Sequence, residues 1–406
     1  MNTRHPTGML ADACDVFADG DWIESKDQSP AGIRLIQTGN VGFGIFKGRG
    51  EKARYVSDAT FKRLRCTEIF EGDCLISRLP EPVGRSCILP NTGERMITAV
   101  DCTIVRFKPK QVLPKFFNYY SQTHEYLRAV DSGTTGTTRK RISRSKLGQV
   151  TIPVPTLPEQ QRIVGVLDEA FAAIARSRAN DELNLRNVRE LFHSRLNAVF
   201  TERGEDWRTR PLGDVCDFQR GLTYKKEDEV DLSHNVVLRA MNIDLASHRL
   251  DFTDLKYICD QVAIPESKKV KKGSLMICTA SGSKAHLGKI AFIDDDYGYA
   301  FGGFMGMLTP HGDLVPRYLF HLMTSGAYDD FIGAMAAGMN INNLKFDELK
   351  QFQVPCPPRP EQERIVEQLD SLSDETERLS SLYRRKLDAL ETMKRSLLQQ
   401  AFAGAL

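Results

Sequence analysis

Two spacings of apolar residues divide this chain into two kinds of segment, and each kind is written twice. Short apolar, β-branched runs such as "CTIVRF", "SLMIC" and "KIAFI" have the length and composition of strands. Stretches such as "PKFFNYYSQTHEYLRAV" carry helical spacing instead. Interleaved, they predict mixed α/β globules over residues 1–155 and 205–357. Each globule ends at prolines, "TIPVPTLPEQ" and "FQVPCPPRPEQ". Proline stops a preceding helix from running through but suits the first turn of a new one.

Beyond each exit the spacing changes to alternating threes and fours. From Glu361, apolar residues fall at Ile365, Leu369, Leu372, Leu379, Tyr383, Leu387, Leu390 and Leu397, with Thr376 in the one polar slot and no Gly or Pro before Gly404. Such a helix spans about 60 Å. The first copy, from Glu159, is less apolar through "SRANDELNLRN" but regains Val188, Phe192, Leu196 and Val199. A small globule cannot cover so long a stripe. The predicted partner is the other copy's helix, in an antiparallel coiled coil with internal pseudo-twofold symmetry, and with Ile163, Leu167, Ile365 and Leu369 at its core. A lone spacer or a homodimerisation helix is the alternative.

The duplication runs the length of the chain. At an offset of 202 residues "LPEQQRIVGVLD" falls on "RPEQERIVEQLD", "LADACD" on "LGDVCD", Asn40-Val41 on Asn242-Ile243, "LPKFF" on "VPRYL" and Phe200 on Phe402. "GDCLIS" meets "GSLMIC" one residue out of that register. The organisation expected is a globule (1–155), a helix (156–204), a globule (205–357) and a helix (358–406). Two copies that keep a framework and differ elsewhere suit two versions of one recognition task, with simple drift of the two halves as the alternative that divergence alone favours.

Composition narrows the class. At 406 residues there is room for two domains, and 41% hydrophobic with 27% charged residues is globular usage. No apolar run reaches about 18 residues, and the N-terminus lacks a signal-peptide core, so a cytoplasmic protein without membrane contact is expected. The nine cysteines include no CxxC pair, which argues against a disulfide framework or structural zinc. A net charge of +2 leaves nucleic acid open, because binding depends on where charge sits.

Two variable globules, each followed by "PEQxRIVxxLD" and a long helix, resemble the specificity subunit of type I restriction–modification enzymes over essentially the whole chain. "FQRGLTY" and "FADGDWIESKD", which open the two globules, are similar to two different subclasses of that family's target-recognition domains. The resemblance implies a protein that does no chemistry. Each globule would read half of a split, asymmetric site on double-stranded DNA, and the helices would set the spacing. Two methyltransferase subunits would be recruited, and restriction subunits through them. S-adenosylmethionine, ATP and Mg would belong to those partners, with no cofactor or metal in this chain. An architecture-retaining scaffold or antagonist without DNA readout is the alternative.

Base edges call for Arg, Lys, Asn or Gln, and phosphates for Lys, Arg, Ser, Thr and free amides. In the first globule "SGTTGTTRKRISRSK" supplies Thr134, Thr135, Thr137, Arg139, Lys140, Arg141, Arg144 and Lys146, and "ISRLPEPVGRS" adds Arg78 and Arg85. In the second, "SGSKAH" supplies Ser281, Ser283, Lys284 and His286, and "MNINNLK" supplies Asn340, Asn342, Asn343 and Lys345. Asn40 and Asn242 are weaker candidates, since a structural turn explains them equally. For partner subunits the candidates are Glu159, Gln160 and Arg162 with Glu361, Gln362 and Arg364, where acids in a first helical turn also complement the helix dipole. Rival enzyme readings lack their motifs: there is no [N/D]PP[Y/F], Walker A, HExxH or GxSxG, and "FGGFMG" does not have the dinucleotide spacing.

Overall fold

The computed structural model describes residues 5–136, 139–202, 204, 206–282, 286–337 and 343–405. The chain is mixed α/β and divides into two units, Met1–Glu182 with Arg385–Leu406, and Leu183–Arg384. The division falls inside both long helices, Leu157–Thr201 and Arg359–Ala403, each of 45 residues.

In the first unit an antiparallel sheet runs in the order Cys14–Asp19, Cys102–Phe107, Cys74–Ser77, Ser86–Ile88. The strand "CTIVRF" is buried on both faces, which is why it reads as a continuous apolar run. Val105 and Phe107 point into a core with the helices, while Cys102 and Ile104 point into a second core with Ile36 and Met96. That second core backs onto a five-stranded sheet in which Ile33–Ile36 pairs in parallel with Met96–Thr98. The second unit repeats the plan. Its antiparallel sheet runs Cys216–Arg220, Met305–Pro310, Leu275–Cys278, Ile290–Phe292, and its second sheet pairs Asn235–Leu238 in parallel with Ala300–Phe301. In each unit a two-stranded ribbon joins the start of the globule to its exit, Thr7–Met9 with Thr151–Pro153 and Arg208–Pro211 with Gln353–Cys356.

The stretch "PKFFNYYSQTHEYLRAV" forms two helices, Pro114–Tyr120 and His124–Ser132, because Thr123 caps the second by accepting from the Tyr126 amide. Their counterparts are Pro316–Leu322 and Gly326–Ala337. Tyr126 and Tyr328 are both buried and donate to equivalent turn carbonyls, Gly84 at 3.1 Å and Gly288 at 2.8 Å.

Each unit joins the start of one long helix to the end of the other. In the first, Ile163 and Leu167 share a core with Leu398 and Ala401, and Phe402 packs on Phe116 and Tyr120. Further along, Arg178 pairs with Glu391 at 2.6 Å and Asp181 meets Lys386 at 4.0 Å, so the two segments run antiparallel. In the second, Ile365 and Leu369 share a core with Leu196 and Phe200, and Asn197 accepts from the Gly326 amide at 2.7 Å. Thr376 and Ser380 are both buried, so the stripe narrows to small polar residues there. Among the described residues no helix is long and apolar enough to cross a membrane.

Two glycines hold equivalent close approaches. A Cβ on Gly20 would land on the carbonyl oxygens of Thr98 and Ala99, and one on Gly221 on the carbonyls of Phe301 and Gly302. Gly165, exposed on the first long helix, has nothing nearby. Gly20→Ala and Gly221→Ala should therefore each destabilise by about 2 kcal/mol or more through backbone overpacking. Gly165→Ala should stabilise by about 0.5–1 kcal/mol. Denaturant unfolding of the three variants checks both signs.

Candidate nucleic-acid interface

The basic segment of the first unit is a narrow strap. Thr135 and Arg141 form an isolated antiparallel bridge, with amide-to-carbonyl bonds of 2.8 and 2.9 Å. Gly136 beside the bridge sits at φ +97°, a conformation that a side chain would strain. Ser143 then caps the short helix Arg144–Gly148. Arg139, Lys140, Arg141, Arg144 and Lys146 are all exposed, as is Thr135, and Thr134 is half-buried. Lys140 pairs with Asp131 at 2.7 Å and Arg141 with Asp101 at 2.8 Å, whereas Arg139, Arg144 and Lys146 form no ion pair among the described residues. Thr137 lies outside the described residues.

Arg78 and Arg85 prove to be internal. Arg85 is 8% exposed and donates to four carbonyls, Val41, Leu79, Pro82 and Thr38, at 2.6–3.1 Å. It staples two loops together and has no free face for DNA. Arg78 is 4% exposed and donates to the Val100 carbonyl at 2.6 Å, with Asp19 at 3.4 Å. A buried guanidinium needs partners for its donors. Backbone carbonyls use those of Arg85. Arg78 relies on one carbonyl and the Asp19 carboxylate, and its buried Nε has no partner among the described residues. Asn40 and Asn242 prove to be turn residues. Asn40 accepts from the Gln37 amide and donates to the Lys47 carbonyl, and Asn242 accepts from the Arg239 amide and donates to those of Asp251 and Asp254.

In the second unit Asn343 is exposed and bridges Ala280, which brings the two candidate loops together. Lys345 is exposed with Glu348 at 3.8 Å, and Ser281 and His286 are half-buried. Ser283, Lys284, Asn340 and Asn342 lie outside the described residues. Sequence reading missed Phe304, which is 74% exposed although its carbonyl is held by the Thr279 and Ala280 amides at 2.9 and 3.2 Å.

The repeated helix-entry phrase resolves into three roles. Gln160 and Gln362 are almost fully buried and make matching bonds. Gln160 accepts from the Leu113 amide at 2.8 Å and donates to the Gln111 and Pro155 carbonyls at 2.9 and 2.8 Å. Gln362 does the same with Val315, Asp313 and Pro357, at 2.8, 3.2 and 2.9 Å. Neither amide is available to a partner, because each fastens its helix to its own globule. Glu159 and Arg162, like Glu361 and Arg364, form two-pronged pairs one turn apart on the surface, and each arginine holds its glutamate below the usual carboxylate range. Of the six partner candidates only these four are on the surface.

The closing aspartates anchor the entry from the other side. Asp168 accepts from Tyr119 at 2.5 Å and pairs with Lys115 at 2.7 Å. Asp370, at the equivalent place, accepts from His321 at 2.8 Å and pairs with Arg317 at 2.9 Å. Burial lowers the His321 pKa more than Asp370 raises it, so the ring is the neutral Nε2–H donor, and its buried Nδ1 has no partner among the described residues. For Asp370 burial acts upward, but the His321 bond and the Arg317 charge outweigh it.

A family model described as "Type I restriction modification DNA specificity domain" matches residues 12–185 and again residues 204–384. The chain is 31% identical over 205 residues to the "Type I restriction enzyme StySPI specificity subunit" of Salmonella potsdam, and 30% identical over 205 residues to the "Type I restriction enzyme EcoKI specificity subunit" of Escherichia coli K12. Each match covers 50% of this chain and 44% of the relative, so the chain spans less than half the length of these curated relatives. Two solved structures share the fold end to end. One, from work on the "complex assembly and conformational transition of the type I R-M system", superposes with a TM-score of 0.77 at 16% identity, over 100% of this chain and 99% of that one. The other, the "HsdS subunit from Thermoanaerobacter tengcongensis", gives 0.59 at 16% identity, over 100% and 98%.

Two outcomes follow from the helix entry. Gln160→Ala and Gln362→Ala each leave a buried amide and two carbonyls without partners, and should cost about 2–4 kcal/mol in denaturant unfolding. The lowered His321 pKa means that its contribution is present above the unfolded value, about 6.5, and is lost as pH falls through the folded one. The wild type should lose stability between pH 7.5 and 5.5, and His321→Tyr, which copies Tyr119, should lose less. Thermal melts at the two pH values measure the difference.

Proposed function

The chain belongs to the type I restriction modification DNA specificity family, and on that premise we propose that it is the non-catalytic reader of a restriction–modification complex. Each unit contacts one half of a split, asymmetric site on double-stranded DNA. The long helices set the spacing between halves. The outer faces of the helix entries, with Glu159, Arg162, Glu361 and Arg364, engage two methyltransferase subunits, and these in turn engage the restriction subunits. Methyl transfer and ATP-driven cleavage, with S-adenosylmethionine, ATP and Mg, belong to those partners.

One observation carries this reading. Two units with matching backbone bonds expose different chemistry at matching places: a strap with five cations in the first, and Asn343 with Lys345 and Phe304 in the second. A scaffold that bound only subunits would have no use for that contrast. Cations on a strap suit phosphates, whose neutralisation makes binding fall steeply with salt.

The test is methylation mapping in cells that express the full chain with its methyltransferase partner. A methyl mark on a bipartite motif is expected. Exchanging residues 1–155 for those of a relative should change one half of the motif and keep the other. Intact assembly with no sequence-dependent mark would sink the reading and favour the scaffold.

A further inference from the structure

Backbone bonds pair three positions across the two units. The Arg78 amide donates to the Asp101 carbonyl at 2.9 Å, and the Thr279 amide to the Phe304 carbonyl at 2.9 Å. The Arg78 carbonyl accepts from the Ile142 amide at 3.3 Å, and the Thr279 carbonyl from the Leu344 amide at 2.7 Å, which sets Arg141 against Asn343. Behind both places lie Gly20 and Gly221, donating to the Cys102 and Met305 carbonyls at 2.9 and 3.0 Å. The frame is therefore the same, while its side chains share nothing. The first unit carries Arg78, Asp101 and Arg141, and the second carries Thr279, Phe304 and Asn343.

In both units the inner member, Arg78 or Thr279, is buried. The outer two reach solvent. Arg141 is exposed with Asp101 half-buried beneath it, while Phe304 and Asn343 are both exposed. The Asp101 carboxylate also offsets the charge of the buried Arg78, but no such task accounts for the exposed side chains of Arg141, Phe304 and Asn343. The ring of Phe304 stays in water although its own carbonyl is held by two amides and the Thr279 hydroxyl. The Arg141 ion pair is open to solvent, where such pairs contribute little.

We propose that these outer positions form the base-reading plate of each unit, a reading that rests on the proposed function and adds its chemistry. In the first unit Arg141, steadied by Asp101, presents a fork of donors that matches the O6 and N7 acceptors of guanine in the major groove. In the second, the Asn343 oxygen can accept from adenine N6 while its NH2 donates to N7, and Phe304 offers an apolar surface to a neighbouring thymine methyl. The first half-site thus has a G·C pair under its plate, and the second an A·T pair. The strap cations Arg139, Arg144 and Lys146 hold phosphates and carry no such preference.

The experiment maps methylation by complexes of the full chain with its methyltransferase partner, wild type against Arg141→Ala, Phe304→Ala and Asn343→Ala. Arg141→Ala should make one G·C position of the first half degenerate, with preference falling about tenfold or more, while the second half stays unchanged. Phe304→Ala and Asn343→Ala should do the reverse, at A·T positions. The untouched half-site reports in each case that the variant is folded and assembled. A variant that no longer methylates is read by competition binding between duplexes that differ at one base pair, with the same expectation. Asn343→Gln should restore part of the adenine preference. An unchanged motif in all three variants would overturn the plate and leave the proposed function standing. A wild type with no sequence-dependent mark would overturn both.

Discussion

The hydrogen bonds of two buried glutamines hold this architecture together. A long helix that leaves a small globule has few ways to keep its direction, because its first turn has amides without intrahelical partners and its exit peptide is rich in proline. Gln160 and Gln362 each tie that turn to the exit carbonyl five residues back and to the loop ahead of the helix Pro114–Tyr120 or Pro316–Leu322. Three bonds from one amide, all in the protein interior, define a direction that a hydrophobic contact alone would leave loose. Ile163 and Leu167, or Ile365 and Leu369, then follow on the buried side of the same helix.

The aspartates at the end of the phrase show how the copies diverged without losing the joint. Asp168 is met by a lysine and a tyrosine, and Asp370 by an arginine and a histidine. Both pairs supply one cation and one neutral donor, so the carboxylate is satisfied twice by different chemistry. Tyrosine keeps its proton across the biological range, with burial and Asp168 both pushing its pKa up, whereas histidine is neutral here only because burial outweighs its acidic neighbour. Through the neutral range the tyrosine therefore has no proton to gain, whereas the histidine has.

The repeat, the mixed globules and the two long helices were legible in the sequence because each depends on local signals: proline at the exit, the three-four stripe, and crowded β-branched runs. What each polar residue does was less legible. Gln160 and Glu159 are neighbours in one polar phrase, yet one is interior and the other solvated, and only the position of a loop 47 residues earlier decides which. Arg85 sits in a turn that reads as a surface loop, and its burial follows from carbonyls at Thr38 and Val41 that spacing cannot foresee. The asparagines at 40 and 242 were ambiguous for the opposite reason, since a turn needs the same amide that would read adenine.

The plate of Arg141 and Asp101, or of Asn343 and Phe304, was the least visible feature, and the reason lies in the register. A single offset of 202 pairs Asp101 with Gly303 and leaves Phe304 opposite Cys102. The backbone bonds instead pair Asp101 with Phe304 and Arg78 with Thr279, at offsets one residue longer and one shorter. The offset changes between strands and not within them, since Cys102–Phe107 matches Met305–Pro310 at one spacing and Cys74–Ser77 matches Leu275–Cys278 at another. A fold that lets its turns drift while its strands stay in register can change the groups it exposes at little cost to stability. That freedom is what a protein needs if its scaffold is to be kept and its DNA target changed.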